Sequence, residues 1–188
     1  MKVINDTQKT YNTVIILDYG SQYSKLIARR VRECNVYSEI INPSVAKSEL
    51  DHLNIKGIIL SGGPSDINDS SSPKIPDWLY DFDVPILGIC YGLQAIIYND
   101  GGKVSSDSNS EYGNAEINLI SNQEPLFQNC DQNFNVWMSH GDSVSEIPKS
   151  YELLASTDSC KYAAVKFNNI YGIQFHPEVV HTQNGKQI

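Results

Sequence analysis

The sequence predicts an α/β fold: a mostly parallel, twisted sheet with helices on both faces and a small antiparallel section in its second half. Three observations carry this reading. Continuous apolar runs recur at Val14–Leu17, Gly57–Leu60 and Val84–Leu87, as expected of strands buried on both faces. Helical stretches between them complete a β-α-β-α-β-α-β-α alternation, which implies right-handed crossovers and a parallel sheet. Beyond Gly101-Gly102 the texture changes to short, moderately alternating segments between turn clusters, the pattern of antiparallel strands.

Taken in order, residues 1–12 are polar and read as a loose leader to a domain over 13–188. Val14–Leu17 is the first strand, and Asp18-Tyr19-Gly20-Ser21 turns the chain into a helix. Tyr23, Leu26, Ile27, Arg30, Val31 and Cys34 then fall on one helical stripe. Val36–Ile41 reads as a strand and Val45–Leu53 as a helix. Gly57–Leu60 follows as a strand ending in Ser61-Gly62-Gly63-Pro64, with a polar loop and a short helix near Trp78-Leu79-Tyr80 after it. Val84–Leu87 leads into the helix around Leu93–Tyr98. The second half supplies strand-like pieces at Ala115–Leu119, Asn135–Met138, Glu152–Ala155, Ala163–Phe167 and Ile170–Phe175.

The bulk numbers exclude several classes. With 188 residues, 40% hydrophobic and 19% charged, the chain suits one globular domain. A net charge of −8 without a basic cluster argues against nucleic-acid binding. No apolar run reaches membrane-spanning length and the N-terminus lacks a signal-peptide core, so a cytoplasmic protein with reduced thiols is expected. The Asn-x-Ser/Thr matches at Asn5 and Asn68 then carry no meaning. Four scattered cysteines form no Cys-x-x-Cys pair, and four dispersed histidines offer no metal-ligand spacing, so no metal is expected. Neither common phosphate-binding glycine loop occurs.

Chemistry concentrates at Gly88-Ile89-Cys90-Tyr91-Gly92, between an apolar strand and a helix. This is the strand–nucleophile–helix layout of the Gly-x-Ser-x-Gly elbow with sulfur in place of oxygen. The flanking glycines avoid a Cβ clash, and the helix N-terminus favours a thiolate. A cysteine nucleophile needs a base and a group that orients it. His176 and Glu178, either side of Pro177 and just past a strand end, suit these roles; the plainer reading is a histidine capping a strand. Oxyanion donors are sought in the Tyr91 amide and the Gly63 amide. Gln94 lies one helical turn beyond Cys90, positioned for a small polar substrate or for solvent, and Ser139-His140-Gly141-Asp142 is a pocket wall or a plain turn. Cys34 on the first helix's buried stripe, Cys130 and Cys160 read as inert; His52 reads as solvated and His181 as partnerless.

Together these motifs resemble the class I glutamine amidotransferases, over about Val14 to Gly185. The resemblance is carried by Asp18-Tyr19-Gly20-Ser21-Gln22-Tyr23, Ala28–Glu33, Ser61-Gly62-Gly63-Pro64, the cysteine elbow through Gln94, Trp137–Asp142 and Gln174–Thr182. The Gly-Ser-Gln-Tyr and Trp-Met-Ser-His-Gly-Asp segments are similar to the GMP synthase branch in particular. The resemblance implies a flavodoxin-like sheet. It also implies a reaction in which Cys90 attacks the glutamine amide, His176 protonates departing ammonia and then activates water, and Glu178 orients His176. Gly63 and Tyr91 would form the oxyanion hole; Gln94, Ser139, Gly141 and Asp142 would hold glutamine. Its implied partner is an ATP-pyrophosphatase domain or subunit that aminates adenylated xanthosine monophosphate, where ATP and Mg belong. This chain would need no cofactor. The Ser-Gly-Gly-Val-Asp-Ser-type loop of that unit is absent, and a fragment of a two-domain enzyme is expected rather than a free-standing partner chain. Amidotransfer to another acceptor, γ-glutamyl hydrolysis and a catalytically silent docking domain are the alternatives.

Overall fold

A computed structural model describes residues 11–106 and 110–188. The expected leader lies mostly outside the described residues, although Asn12 already belongs to the first strand. The strands are β1 (Asn12–Leu17), β2 (Tyr37–Ile41), β3 (Asn54–Leu60), β4 (Ile86–Ile89), β5 (Lys103–Ser105), β6 (Glu111–Leu119), β7 (Asn133–His140), β8 (Ser143–Glu146), β9 (Glu152–Ser156), β10 (Ala164–Phe167) and β11 (Ile170–Ile173). The α-helices are α1 (Ser24–Glu33) and α2 (Tyr91–Asn99).

Nine strands form one sheet in the order β2-β1-β3-β4-β11-β10-β9-β6-β7, and β5 pairs with β8 apart from it. The first five strands are parallel, in the doubly wound order of flavodoxin-like folds. The remaining four are antiparallel and extend the same sheet, so the antiparallel part is larger and more continuous than expected. The continuity comes from the β10–β11 hairpin: Asn168 takes φ 53° at its turn, and the returning β11 lies parallel beside β4. That parallel pairing, Ile89 opposite Ile173, brings the chain after each strand to one edge of the sheet.

Alternation along the strands feeds two cores. Ile15, Leu17, Ile58 and Leu60 face α2 and pack with its Leu93, Ile96 and Ile97. Ile16 and Ile89 face the other way, onto α1's Ile27 and Ala28 and onto Phe127, Phe134 and Phe175. Each fully buried Ile or Leu contributes about 1.5–3 kcal/mol. Helices do cover both faces, one α-helix on each.

The expected helix over Val45–Leu53 is only a single 3₁₀ turn, Lys47–Leu50. β3 begins at Asn54, three residues before the apolar run that announced it, which leaves too little chain to propagate an α-helix. The helix near Trp78 is likewise a 3₁₀ turn, Leu79–Asp81. Cys34 is exposed, because α1 ends at Glu33 and the chain leaves through Asn35 at φ 60°.

Candidate active site

Cys90 follows β4 directly and precedes the first residue of α2, with φ 51° and ψ −106°. A non-glycine residue holds such a backbone only where its surroundings impose it. Its N–H donates to the Ile173 carbonyl at 2.8 Å, and its carbonyl accepts from the Gln94 N–H at 3.1 Å. The flanking glycines answer a packing need. A Cβ on Gly92 would lie 2.4 Å from the Leu60 carbonyl oxygen, and one on Gly88 would lie 2.7 Å from the Gly92 carbonyl.

Gln174, Phe175 and His176 continue β11 past Ile173, beside the elbow. His176 is fixed through its backbone: its N–H donates to Trp137 O at 3.0 Å. Its carbonyl accepts from Thr182 Oγ1 at 2.6 Å, and the same hydroxyl accepts from the Trp137 N–H. Its Nδ1 lies 2.8 Å from Glu178 Oε1, and each residue is only 3% exposed. Arg30 Nε donates to the Glu178 carbonyl at 2.9 Å, and the Tyr23 ring meets the imidazole edge-on at 5.3 Å. Burial alone would lower the His176 pKa. Hydrogen bonds to Cys90 and Glu178, with their charges, outweigh it and push the value up to about 10.

A cleft of about 360 Å³ lies over this group, lined by Gly63, Cys90, Ser139, His176 and the Gly20–Tyr23 turn. Gly63 is held there by close approach, since a Cβ would sit 2.6 Å from Tyr19 O. The Tyr91 amide opens α2 and has no acceptor within the helix, while its ring turns away and its hydroxyl donates to Pro73 O. Ser139 O receives the Cys90 thiol at 3.8 Å. Gln94 is not solvated: it is 3% exposed, and its Nε2 donates to Asp142 O at 2.7 Å and Gln174 Oε1 at 3.4 Å. It therefore ties α2 to the turn that carries Gly141 and Asp142. Burial raises the Asp142 carboxyl above the ordinary carboxylate range.

Two parts of the site escaped the reading of the residues for chemistry. Gln174 is fully buried and its Nε2 donates to Cys90 Sγ at 3.5 Å. Its place directly after β11 and two residues before His176 was the available signal. The Gly20–Tyr23 turn also lines the cleft, and it follows a parallel strand on the same sheet edge as the elbow. Elsewhere, His181 does have a partner, stacking on Trp137 at 4.5 Å, and His52 is half-buried. Burial raises the thiol pKa of Cys130, and that of Cys160 to about 12, so neither is poised as a nucleophile.

The family model for glutamine amidotransferase class-I matches residues 15–188. The chain belongs to the class I glutamine amidotransferases. It is 50% identical over 183 residues to a glutamine-hydrolysing GMP synthase of Brachyspira hyodysenteriae, and 45% identical over 190 residues to one of Thermobifida fusca. These alignments cover 96% and 100% of this chain but 35% and 36% of those proteins, so the chain spans about a third of their length. Among solved structures, a GMP synthase subunit of Thermoplasma acidophilum superposes with a TM-score of 0.81 at 30% identity, covering 94% of this chain and 89% of that one. A glutamine amidotransferase of Thermotoga maritima, at 20% identity and a TM-score of 0.71, covers 90% and 77% and shares the fold.

Proposed function

We propose that this chain hydrolyses glutamine to glutamate and ammonia through a Cys90 thioester, and that the ammonia aminates XMP to GMP on a separate ATP-pyrophosphatase unit. The observation that carries the reading is the group at the edge of a parallel sheet in which Gln174 donates to the Cys90 sulfur and buried His176, hydrogen-bonded to Glu178, lines the same cleft as Cys90, in a chain half identical to the glutaminase-sized part of a GMP synthase. With the proton on His176, Cys90 attacks as thiolate the side-chain amide carbon. Electrons move to the carbonyl oxygen, which faces the Tyr91 and Gly63 amides. His176 gives its proton to the leaving nitrogen, ammonia departs, and the neutral ring then takes a proton from water as that water attacks the thioester. Glu178 holds the ring's tautomer and orientation. Ser139 borders the substrate, while Gln94 keeps the Gly141-Asp142 turn in place for it.

ATP and Mg belong to the synthetase unit, and this chain's own steps use neither. Among the described residues no helix is long and apolar enough to cross a membrane, which fits a cytoplasmic enzyme. The test is direct. Cys90→Ala should end glutamate release while leaving the fold intact, and a glutamine-derived electrophile should label Cys90 and none of Cys34, Cys130 or Cys160. Adding the synthetase unit of a relative with ATP and XMP should raise glutaminase turnover and yield GMP. Retained hydrolysis by Cys90→Ala would overturn the mechanism; hydrolysis without GMP would overturn the acceptor.

A further inference from the structure

Among the described residues, one set of metal-binding groups from distant parts of the sequence is gathered in space. Glu111 opens β6, His140 closes β7, and Cys160 sits in the connection from β9 to β10. The antiparallel half of the sheet brings them together, so that a His140 ring nitrogen, a Glu111 carboxylate oxygen and Cys160 Sγ all lie within 4.8 Å of one another. We infer that these three side chains form a binding site for a zinc-class divalent cation, separate from the catalytic group.

The hydrogen-bond directions carry the inference. His140 Nδ1 faces the Asp142 carbonyl at 3.1 Å, which only accepts, so Nδ1 carries a proton. That is the outer-shell arrangement of a metal-ligating histidine; Nε2 stands 3.2 Å from Glu111 Oε2, itself an acceptor, so in the metal-free protein one proton is shared by this pair and a cation takes its place. The other Glu111 oxygen, Oε1, accepts from the hydroxyls of Thr157 and Ser159, as an oriented carboxylate ligand does. Thr157 Oγ1 in turn accepts from the Cys160 N–H at 2.9 Å, which sets the loop carrying the sulfur. Once the shared proton is displaced, His140 Nε2 and Glu111 Oε2 are two Lewis bases at the spacing of neighbouring tetrahedral ligands, about 3.3 to 3.7 Å. The Cys160 side chain closes the remaining gap of at most about 1.5 Å.

A sulfur, nitrogen and oxygen set of this kind suits zinc above calcium or magnesium. On binding, the Cys160 S–H bond breaks and the proton shared by His140 Nε2 and Glu111 is displaced; both protons leave to solvent, and the sulfur, ring-nitrogen and carboxylate electron pairs form the bonds to the cation. Thiolate and carboxylate then neutralise the divalent charge in a buried place. Entry is from the side of Ser159, which is exposed. A bound ion would cross-link three segments next to the Ser139–Asp142 turn.

The experiment uses Co²⁺ as a spectroscopic probe on the Cys90→Ala protein, so that the catalytic thiol cannot contribute. The expected result is one Co²⁺ per chain with a thiolate-to-cobalt charge-transfer band, competed away by Zn²⁺, with about two protons released per ion. Adding Cys160→Ala should remove the band, and adding Glu111→Gln should weaken binding at least tenfold while the metal-free melting temperature stays close to that of the parent. Absence of the band, its survival in the Cys160→Ala protein, or unchanged affinity with Glu111→Gln would each overturn the site.

Discussion

His176 Nδ1 and Glu178 Oε1 are 2.8 Å apart, and both side chains are almost fully withdrawn from water. One residue separates them in sequence. Pro177 between them has no backbone N–H and sits in the turn that follows the end of β11 at Ile173, and the carboxylate comes back onto the ring of its near neighbour. A short charge-assisted hydrogen bond in a dry setting fixes which ring nitrogen points at Cys90.

Replacing that carboxylate by an amide keeps the shape and removes the charge. Glu178→Gln should lower kcat/KM for glutamine hydrolysis by roughly 100- to 10,000-fold, the scale seen when the orienting acid of a triad is neutralised. The protein should still fold, because the amide fills the same space. A variant within threefold of the parent in steady-state glutamate assays would show that Glu178 has no orienting role.

The pH dependence follows from the same pair. His176 has a folded-state pKa raised to about 10, against about 6.5 when unfolded. A raised histidine adds stability that is fully present below pH of about 6.5 and is lost as pH climbs through about 10. The melting-temperature margin of the parent over His176→Asn should therefore be widest near pH 6 and narrow steadily towards pH 10. A margin that is flat or widens over that window contradicts the assignment.

Much of this was legible in the chain. Unbroken apolar runs named the parallel strands, because burial on both faces leaves no room for polar alternation. The elbow glycines marked the sharp turn that carries Cys90, because the approach of Leu60 to Gly92 tolerates no side chain. What stayed hidden depends on contacts between distant segments. Nothing local to Val45–Leu53 says that β3 starts at Asn54 and cuts the helix to one turn. The β5–β8 pair joins segments too short and polar to announce themselves. Gln94 looks like a surface residue until the 139–142 turn folds over its amide. Glu111, His140 and Cys160 meet only because β6, β7 and the β9–β10 connection become neighbours.

Gln174 offers a test of how the Cys90 sulfur is held. Its Nε2 is 3.5 Å from Cys90 Sγ, and its Oε1 accepts from Gln94. Gln174→Met preserves length and burial but removes the donor. With about 1 kcal/mol lost from the thiolate, alkylation of Cys90 by iodoacetamide near neutral pH should slow about fivefold. Peptide mapping of the modified cysteine measures this, and an unchanged rate would exclude Gln174 from stabilising the sulfur anion.

The elbow itself is expected to store strain, and two substitutions at one position separate that strain from the chemistry. Cys90 holds φ 51° only because strand, helix and the hydrogen bond to Ile173 impose it. Alanine at this position keeps the strain, whereas glycine adopts positive φ freely. Both variants lose the sulfur and should be inactive. Yet Cys90→Gly should be more stable than Cys90→Ala by about 1 kcal/mol, the gain of about 1–3 kcal/mol from released strain being partly offset by the greater freedom of glycine in the unfolded chain. Chemical denaturation of the two proteins, with equal slopes, decides it. If alanine proves the more stable, the backbone at Cys90 is relaxed and the elbow presents its nucleophile without stored strain.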